Sequence, residues 1–390
     1  MIHLFVNALA ASAGGGLTYV RNIIPHLALR KDTRATVLLD AALRRELQQS
    51  TNVSFVEREN LPGAIRRAWS EQRTVGALVR ENGANILLSA GNFALRNSPV
   101  PQILLSRNSL YTSAEFSADL RARGDYRMLI DTRVKGMLAR WSIRTADCVV
   151  APSQAFAEDL QQWTGKAIVA IHHGFDREAF SKDSSPLPAA VREKLESRGN
   201  ALGLLFVSHY NYYRNFETLI RALPKIKETL GGRGVRLFLT CKLAAHSNPG
   251  SYRPDSAAKL LRELGLTEDV IELDSVPYPL LHQLYRAVDI YVTPAYAESF
   301  AHPLVEAMSS GLPVVASDLP VHREVCGEAA VYFQRFSPEQ LADRVCEVAA
   351  SPVLAQRLAQ KGQERSTDFS WSTHVERIYA LAQSLLSSRS

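Results

Sequence analysis

The sequence predicts an α/β protein with two successive domains, each built on a parallel β-sheet. Short apolar, β-branched runs alternate with longer helical patterns along the 390 residues, which is typical of βαβ units. The chain is about twice as long as an ordinary domain of ~100–200 residues, and a polar stretch that begins at Asp183 interrupts the alternation once. We therefore predict a first domain over 1–180, a linker over 181–200, a second domain over 201–370 and a C-terminal helix over 371–390.

The first half opens on an apolar run with no basic residues ahead of it, and three glycines follow soon afterwards. This pattern predicts a first buried strand and not a signal peptide. Between the strands, apolar positions recur at spacings of three and four, as in amphipathic helices. The predicted strands are 2–6, 35–39, 53–56, 85–89, 102–106, 148–151 and 167–172, and the predicted helices are 17–30, 65–81, 126–145 and 154–163.

The alternation restarts after the linker. Ligands in such sheets bind beyond the carboxyl ends of the strands, so a cleft between the two domains is the expected site. The amphipathic segment 371–386 fits either a helix that packs at the domain junction or one that finishes the second core. The second half has predicted strands at 202–208, 235–240, 270–273, 290–293, 313–317 and 330–333, and helices at 217–230, 256–264, 279–287, 303–310 and 338–350.

Composition excludes several classes of protein. Forty-five Lys and Arg against 39 Asp and Glu give a net charge of +6, which suits an anionic ligand or a membrane surface. Without a clustered basic motif it predicts no nucleic-acid partner. The four cysteines lack Cys-x-x-Cys spacing, which argues against a zinc site or a disulfide framework. No apolar run approaches the ~18 residues of a membrane span, and we expect a cytoplasmic protein.

Two glutamates flank the start of a predicted helix. Glu298 lies in the loop after a strand that ends near Thr293, and Glu306 lies about one turn into a helix that begins near Pro303 and ends at Gly311. The free amides of a helix N-terminus suit a diphosphate, whereas carboxylates accept hydrogen bonds from sugar hydroxyls. The pattern indicates a nucleotide sugar, although two glutamates around a helix start also fit a capping arrangement.

Glu298 and Glu306, with seven residues between them and Gly-Leu-Pro-Val-Val-Ala-Ser at 311–317, resemble the E-x7-E motif of the retaining family-4 (group 1) glycosyltransferases. The resemblance covers residues 202–333 and implies the GT-B fold, in which two Rossmann-like domains face each other across a cleft. It implies that Glu306 holds the nucleotide ribose and that Glu298 binds the donor sugar. The backbone groups that would meet the sugar and diphosphate are those of Phe300, Ala301 and His302.

A second family feature is a Gly-Arg pair after a strand, followed five residues later by a lysine; the two basic side chains clamp the diphosphate. Here Arg214 takes the place of the lysine and keeps its charge in a bidentate fork. Ser208 and His209 replace the Gly-Arg pair, which departs from the family. A histidine beside a diphosphate should have its pKa raised; otherwise His209 is a strand-end residue hydrogen-bonded in the core. The resemblance implies catalytic roles for Glu298, His209 and Arg214, with Ser208 at the donor.

Three consecutive glycines, Gly14, Gly15 and Gly16, follow the first strand. They allow close approach of the backbone to a ligand, and their amides open a helix. The spacing matches neither the dinucleotide-binding motif nor a P-loop, and a simple tight turn is an equal alternative. The resemblance implies that this loop contacts the donor.

Three further positions follow from the same resemblance. Tyr278 lies where the family lines its base pocket. Arg107 and Asn108 stand near the place where the family often has an acceptor-side histidine, and they would orient the acceptor or a phosphate. An ordinary loop at 107–108 is the alternative.

The resemblance implies retaining transfer of a hexose-type sugar, such as mannosyl or glucosyl, from a nucleotide diphosphate sugar to a glycan or lipid-linked acceptor. Bacterial-type surface polysaccharide or glycolipid synthesis is the expected setting. We expect neither a metal nor a cofactor, because no Asp-x-Asp-like motif stands at a strand end, and Arg214, His209 and helix amides can stabilise the leaving group. The alternatives are a non-hydrolysing UDP-sugar epimerase and a catalytically weak nucleotide-sugar-binding protein, which the Ser208-His209 departure favours.

Residues 62–80 form a predicted basic helix that carries an aromatic residue. Such a helix fits peripheral contact with anionic lipid at the inner face of a membrane, or simply a solvated charged face. The residues concerned are Arg66, Arg67, Trp69, Arg73 and Arg80.

Overall fold

Both halves of the chain form α/β units with parallel sheets, as the alternating pattern predicts. The computed structural model describes residues 1–11, 14–48, 50–59 and 63–388. The chain divides into a first unit of Met1–Ser113, Leu120–Gly174 and Phe369–Ser390, and a second unit of Ala114–Asp119 and Phe175–Asp368.

The strands and helices follow one another in regular alternation. Residues 2–174 hold strands β1 (Ile2–Asn7), β2 (Thr33–Leu39), β3 (Val53–Glu57), β4 (Ile86–Ser89), β5 (Gln102–Leu105), β6 (Cys148–Ala151) and β7 (Val169–Ala170), and helices α1 (Gly14–Leu29), α2 (Ala41–Arg44), α3 (Ala64–Glu81), α4 (Ala114–Ala122), α5 (Tyr126–Thr145) and α6 (Gln154–Thr164). Residues 175–388 hold strands β8 (Leu202–Phe206), β9 (Val235–Leu239), β10 (Val270–Glu272), β11 (Ile290–Thr293), β12 (Val314–Ser317) and β13 (Ala330–Phe333). Their helices are α7 (Arg177–Ser181), α8 (Ala189–Glu196), α9 (Phe216–Leu230), α10 (Asp255–Glu263), α11 (Leu281–Arg286), α12 (His302–Ser309), α13 (Pro320–Cys326), α14 (Pro338–Ala350), α15 (Pro352–Ser366) and α16 (Trp371–Ser387).

The first unit is a seven-stranded parallel sheet in the order β3-β2-β1-β4-β5-β6-β7. Side chains alternate between the faces of a strand, so Leu4 and Val6 of β1 enter one core cluster while Phe5 enters another. Both clusters are covered by helices: α3 packs Val75 and Val79 against the Phe5 face. Strand β1 is buried on both faces except at His3, and this burial is the reason that its sequence has the mostly apolar run typical of a central parallel strand.

The C-terminal helix α16 belongs to the first unit. Its buried face, which includes Trp371, Val375 and Ile378, joins the same core cluster as Leu4 and Val6. The alternative that this helix finishes the second core is therefore wrong, because its buried face belongs to the first core. Its packing at the junction of the two domains stays a prediction.

The second unit is a six-stranded parallel sheet in the order β10-β9-β8-β11-β12-β13. Strand order reverses between β8 and β11, which lie side by side although three helices and two strands separate them in the chain. In open parallel sheets, ligands bind beyond the carboxyl ends of the strands at such a reversal.

The structure differs from the sequence-based division at the predicted 181–200 linker. The change between units falls at Gly174, and residues 189–196 form α8. Phe180 of the preceding α7 packs its ring 5.4 Å from the ring of Tyr278, which ties this segment to the second unit. The sequence of this stretch predicted a linker because α8 has few buried apolar residues. Val191 is buried, whereas the charged residues of α8 are exposed.

Residues 114–119 are a second difference from the predicted domains. This first part of α4 belongs to the second unit, where Tyr296 donates a hydrogen bond from its hydroxyl to Asp119 Oδ2 at 2.7 Å. Glu115 lies 3.4 Å from Arg335. These side-chain contacts join residues that are far apart in the sequence, so local sequence patterns do not predict them.

Candidate active site

Two loops meet at the strand reversal of the second unit. One follows β8 and contains Arg214, and the other follows β11 and contains Glu298. Asn215 donates from Nδ2 to the carbonyl of Pro294 at 3.1 Å, and the amide of Tyr296 donates to the carbonyl of Tyr213 at 3.0 Å. The loops are therefore joined by direct hydrogen bonds, which positions the side chains that they carry. Asn215 was missed, although an Asn immediately before a helix is a common capping signal.

Arg214 and Glu298 form an ion pair across these two loops. Their side chains are only 20% and 9% exposed, so the pair is largely shielded from solvent. The Nε of Arg214 is buried and has no hydrogen-bond partner in the described part of the chain. Because a buried donor without an acceptor is costly, this guanidinium is poised to receive an anion. Two of the three predicted catalytic residues, Arg214 and Glu298, are thus brought into contact.

The loop after β11 leads into α12 through a strained residue. Ala301 has φ +67° and ψ +64°, a left-handed conformation that costs a non-glycine residue roughly 1–2 kcal/mol. Phe300 before it is 2% exposed, and its ring lies 5.0 Å from that of His302. Burial of Phe300 on one side and the helix on the other hold Ala301 in this conformation. In the first turn of α12, the amide of Leu304 donates to the carbonyl of Ala301 at 3.0 Å, and Pro303 has no amide proton.

Glu306 lies inside α12 and is 4% exposed. Tyr285 donates its hydroxyl proton to Glu306 Oε2 at 2.8 Å. Burial raises the pKa of Glu306 to about 7, and the hydrogen bond from Tyr285 opposes that shift. Near neutral pH the carboxyl therefore exchanges between its charged and neutral forms. Tyr285 was missed because a tyrosine on an apolar helix face resembles an ordinary core residue.

We expect the raised pKa of Glu306 to make the free energy of unfolding fall as pH rises. The folded protein holds this proton up to about pH 7 and the unfolded chain loses it near 4.5, so the contribution is complete below 4.5 and is lost as pH rises through 7. Between pH 5 and pH 8 the loss is roughly 2–3 kcal/mol. Urea unfolding of the wild type and Glu306→Gln at both pH values measures it.

The glutamine variant should lack this part of the pH dependence, and the difference between the two proteins isolates it from other titrating groups. Glu193→Gln, on the exposed side of α8, is the matched control and should follow the wild type. Equal pH slopes for the wild type and Glu306→Gln would contradict the prediction.

Ser208 and His209 follow β8 directly. The amide of Ser208 donates to Thr240 Oγ1 at 3.0 Å, and its hydroxyl donates to the carbonyl of His209 at 2.7 Å. His209 is exposed, so the alternative of a histidine hydrogen-bonded in the core is wrong. Partial burial and the charge of Arg214 lower its pKa. We expected the pKa of His209 to be raised beside a bound diphosphate. In the ligand-free protein its pKa is instead lowered.

Tyr278 lies close enough to Glu306 for its phenol to interact electrostatically with the carboxylate, and its role in a base pocket stays a prediction. Its side chain is exposed at 41%, and one side of the ring rests against Phe180. Burial and the nearby Glu306 carboxylate raise the pKa of its phenol. The ring of Tyr278 is therefore neutral and partly exposed, and it lies near Glu306, the residue predicted to bind the ribose.

His322 is a buried neighbour of this site that the sequence did not suggest. It is fully buried, its Nδ1 lies 3.0 Å from Ser317 Oγ, and its Nε2 has no hydrogen-bond partner within the described residues. Burial is the main cause that lowers its pKa to about 3, and the charge of Arg214 adds to the effect. His322 is therefore neutral at physiological pH. A lone histidine in an amphipathic segment gave no signal of this placement.

The glycine loop follows the carboxyl end of strand β1 in the first unit. Gly14 begins α1, whereas Ser12 and Ala13 lie outside the described residues. Arg107 holds the loop: its Nη1 donates to the carbonyl of Gly15 at 2.7 Å, and its Nη2 donates to that of Ala90 at 2.6 Å. A Cβ on Gly16 would approach Arg107 Nη2 to 3.3 Å, so this close contact favours glycine.

Arg107 and Asn108, predicted on the acceptor side, have partners within the protein. Burial lowers the pKa of Arg107 to about 10, which leaves it charged, and its fork is already engaged with backbone carbonyls. Asn108 Oδ1 accepts from the amide of Leu110 at 3.1 Å. Both side chains therefore shape their loops, and their contact with an acceptor stays a prediction.

The predicted basic helix is α3, which begins at Ala64; Pro62 lies outside the described residues. Trp69 is 64% exposed, and Arg66, Arg73 and Arg80 are exposed as well. Arg67 instead lies 3.6 Å from the buried Glu71. No helix in the described ranges has the length and apolar character needed to cross a bilayer.

The described residues contain no group of three His, Cys, Asp or Glu side chains arranged to hold a metal ion. The four cysteines are all free thiols, in agreement with their spacing in the sequence.

Two parallel Rossmann-like units of this kind are the architecture of the GT-B glycosyltransferases. Residues 189–365 match the model of the glycosyl transferases group 1, and residues 13–179 match that of glycosyltransferase family 4. The chain belongs to the group 1, family-4 glycosyltransferases.

Known proteins resemble both the sequence and the fold. D-inositol 3-phosphate glycosyltransferase from Corynebacterium aurimucosum is 26% identical over 264 residues, which are 65% of this chain and 62% of that protein. The aligned part thus spans less than two thirds of that relative. Sucrose-phosphate synthase from Thermosynechococcus elongatus superposes with a TM-score of 0.77 at 17% identity and covers 100% of both chains. Anabaena HepE, solved with UDP-glucose, superposes with a TM-score of 0.72 at 19% identity over 98% of this chain and 100% of its own.

Proposed function

We propose that this protein transfers a hexosyl group, such as mannosyl or glucosyl, from a nucleotide diphosphate sugar to a glycan or lipid-linked acceptor. The observation that carries the proposal is the shielded Arg214–Glu298 ion pair at the strand reversal, beside the helix that contains Glu306. Family membership supports the reaction class, and the UDP-glucose named with the structure of HepE supports a UDP-sugar as the first donor to test.

The diphosphate would bind between Arg214 and the start of α12. A phosphate accepts hydrogen bonds from a guanidinium fork, and the buried Nε of Arg214 has that capacity unused in the described part of the chain. The start of α12 adds the positive partial charge of a helix N-terminus. An incoming diphosphate competes with Glu298 for Arg214, which releases the carboxylate to accept hydrogen bonds from sugar hydroxyls. His209 beside the phosphates would then gain a proton, because its pKa rises there.

The nucleoside end would bind at Glu306. Its ionised carboxylate accepts hydrogen bonds from the paired ribose hydroxyls, while Tyr285 continues to occupy Oε2. Tyr278 offers a ring for the base. Because the pKa of Glu306 is about 7 without ligand, and the ribose requires the ionised form, ionisation of Glu306 should favour donor binding as pH rises through 7. Proton uptake by His209 acts in the opposite direction, so His209→Ala should make the gain with pH larger.

Transfer needs a stabilised leaving group. Arg214, protonated His209 and the start of α12 supply positive charge where the nucleoside diphosphate departs, which is the basis for proposing that no metal is required. Because Glu306 would be committed to Tyr285 and the ribose, only Glu298 remains of the two glutamates described at this site, and the pair of carboxylates used by retaining hydrolases is not available from them. We propose attack on the face that the diphosphate leaves, with the departing phosphate accepting the acceptor's proton. The anomeric configuration is thereby retained.

The test is incubation of the full chain, with EDTA, with UDP-, GDP- and ADP-sugars and a panel of acceptors that includes inositol 3-phosphate and polyprenyl-phosphate glycans. We expect release of the nucleoside diphosphate to depend on an acceptor and the product to keep the donor's anomeric configuration by NMR.

Three other results would contradict the proposal. Conversion of the donor sugar to its epimer without an acceptor would establish the epimerase instead. Tight donor binding without release by any acceptor would establish a binding protein. Activity that EDTA abolishes and Mg²⁺ restores would overturn the metal-independent mechanism.

A further inference from the structure

Helix α5 carries an apolar stripe on its solvent side. Tyr126, Ile130, Met137 and Trp141 are 60%, 62%, 65% and 40% exposed. Their spacings of four, seven and four residues place them along one face of the helix. Single exposed apolar residues are ordinary on a protein surface, but a continuous row of large ones marks an interaction surface.

This stripe makes no contribution to the core of the first unit. The opposite side of α5 supplies the buried residues Leu129, Ala139 and Ile143, which anchor the helix. Burying that side is sufficient to hold α5 in place. The exposed stripe is therefore available for a partner outside the described chain.

A groove next to the stripe extends it to α3. The groove has a volume of about 360 Å³, and its lining includes Trp69 of α3 together with Leu138 and Trp141 of α5. Trp69 is 64% exposed, so two tryptophans stand at the solvent edge of one apolar depression. The surface is thus wider than a single helix.

Basic residues border the stripe. Helix α5 contains one acidic residue, Asp131, and Lys135 binds it at 2.6 Å. Arginine side chains at such positions can lay their alkyl parts along apolar surface and keep the guanidinium groups at its edge. The exposed arginines of α5 are Arg127, Arg133, Arg140 and Arg144.

We propose that this surface, defined as the α5 face (Tyr126, Arg127, Ile130, Arg133, Met137, Arg140, Trp141 and Trp69), docks on a bilayer of anionic phospholipid. Aromatic side chains favour the boundary between headgroups and acyl chains, and arginines are attracted to the negative surface. A helix with an apolar stripe, bordering arginines and no spanning length lies in the plane of the interface. The α5 face, with α3 contributing Trp69, would then carry the membrane contact that the sequence assigned to α3 alone.

The test is flotation of the full chain with phosphatidylcholine vesicles and with vesicles containing 30% phosphatidylglycerol, at low and high salt. We expect binding to the anionic vesicles that weakens with salt. Reversing three charges with Arg127→Glu, Arg133→Glu and Arg140→Glu should lower the partition coefficient at least about a hundredfold, since each basic residue near the surface contributes about 1 kcal/mol.

A second variant removes the apolar contact and keeps the charge. Ile130→Gln with Met137→Gln should lower the partition coefficient by about tenfold or more without a change in melting temperature, because both side chains are exposed. Quenching of tryptophan fluorescence by brominated lipid should fall in Trp141→Phe.

Matched controls lie in the second unit. Val353→Gln replaces a side chain that is 79% exposed, and Arg221→Glu, Arg262→Glu and Arg357→Glu together change the charge by the same amount on exposed helix positions. Both control proteins should bind as the wild type does.

Equal loss in the arginine control and in the α5 variant would reduce the effect to net charge and overturn the proposal. Failure of the wild type to bind anionic vesicles at low salt would also overturn it. So would a dimer in sedimentation that Ile130→Gln with Met137→Gln dissociates, because the partner of the α5 face would then be a second copy of the chain.

Discussion

Replacing Arg214 with alanine is expected to lower kcat by about 10²–10³, the loss that accompanies removal of one charge-stabilising donor from a preorganised site. The guanidinium pairs with Glu298, and its buried Nε has no hydrogen-bond acceptor in the described ranges. Without it the departing diphosphate loses its fork of donors. Steady-state kinetics, with the donor that the panel of nucleotide sugars selects, measures the effect.

Arg214→Lys keeps the charge but not the fork, so we expect it to recover only part of the lost activity. Arg221→Ala, on the exposed side of α9, is the matched control and should leave kcat unchanged. Melting curves separate lost catalysis from lost structure, because removing Arg214 leaves the largely buried Glu298 without its counter-charge. A folded Arg214→Ala protein with wild-type kcat would remove this residue from the mechanism.

Replacing Gly174 with alanine is expected to lower the free energy of unfolding by about 3 kcal/mol or more. A Cβ at this position would lie 2.1 Å from the backbone nitrogen of Trp371 and 2.4 Å from its Cα. These backbone atoms begin α16 and cannot swing aside as a flexible side chain can, so the helix must shift. Because Trp371 is 2% exposed, that shift disturbs the core of the first unit. Urea unfolding and proteolysis of the C-terminal helix measure the effect.

Gly232→Ala is the matched control for this substitution. No heavy atom outside its chain neighbours lies within 4 Å of a Cβ built at Gly232, so its stability should change by less than about 1 kcal/mol. Gly174→Ala with the stability of the wild type would show that α16 moves aside freely.

Most of the fold could be predicted from the sequence, because the buried strands of a parallel sheet are short apolar segments that can be recognised from neighbouring residues alone. Strands such as β1 and β12 are short, mostly apolar runs, and helix α9 buries a regular row of apolar side chains. Helices α4 and α8, which the sequence analysis did not predict, have weakly amphipathic sequences. Residues of α8 are mostly exposed, and α4 is divided between the two units, so neither shows a simple repeating face.

Part of the site could be predicted for the same reason. Glu298, Glu306 and the start of α12 stand within one short segment, where spacing alone relates them. Their partners come from elsewhere in the chain: Arg214 reaches Glu298 from the loop after β8, and Tyr285 reaches Glu306 from α11. Contacts of this kind depend on which strands lie side by side, which local patterns do not reveal.

Sequence by itself determined the alternation of strands and helices, the acidic pair and the family resemblance, since each depends on spacing within a few turns of chain. Tertiary structure alone decided that the loops after β8 and β11 meet, that burial raises the pKa of Glu306 to about 7, and that α16 returns to the first core. Electrostatic shifts and packing arise from groups that are close in space but distant in sequence. The physical reason is that desolvation and close contact depend on the assembled surroundings of a residue, whereas periodicity depends only on its chain neighbours.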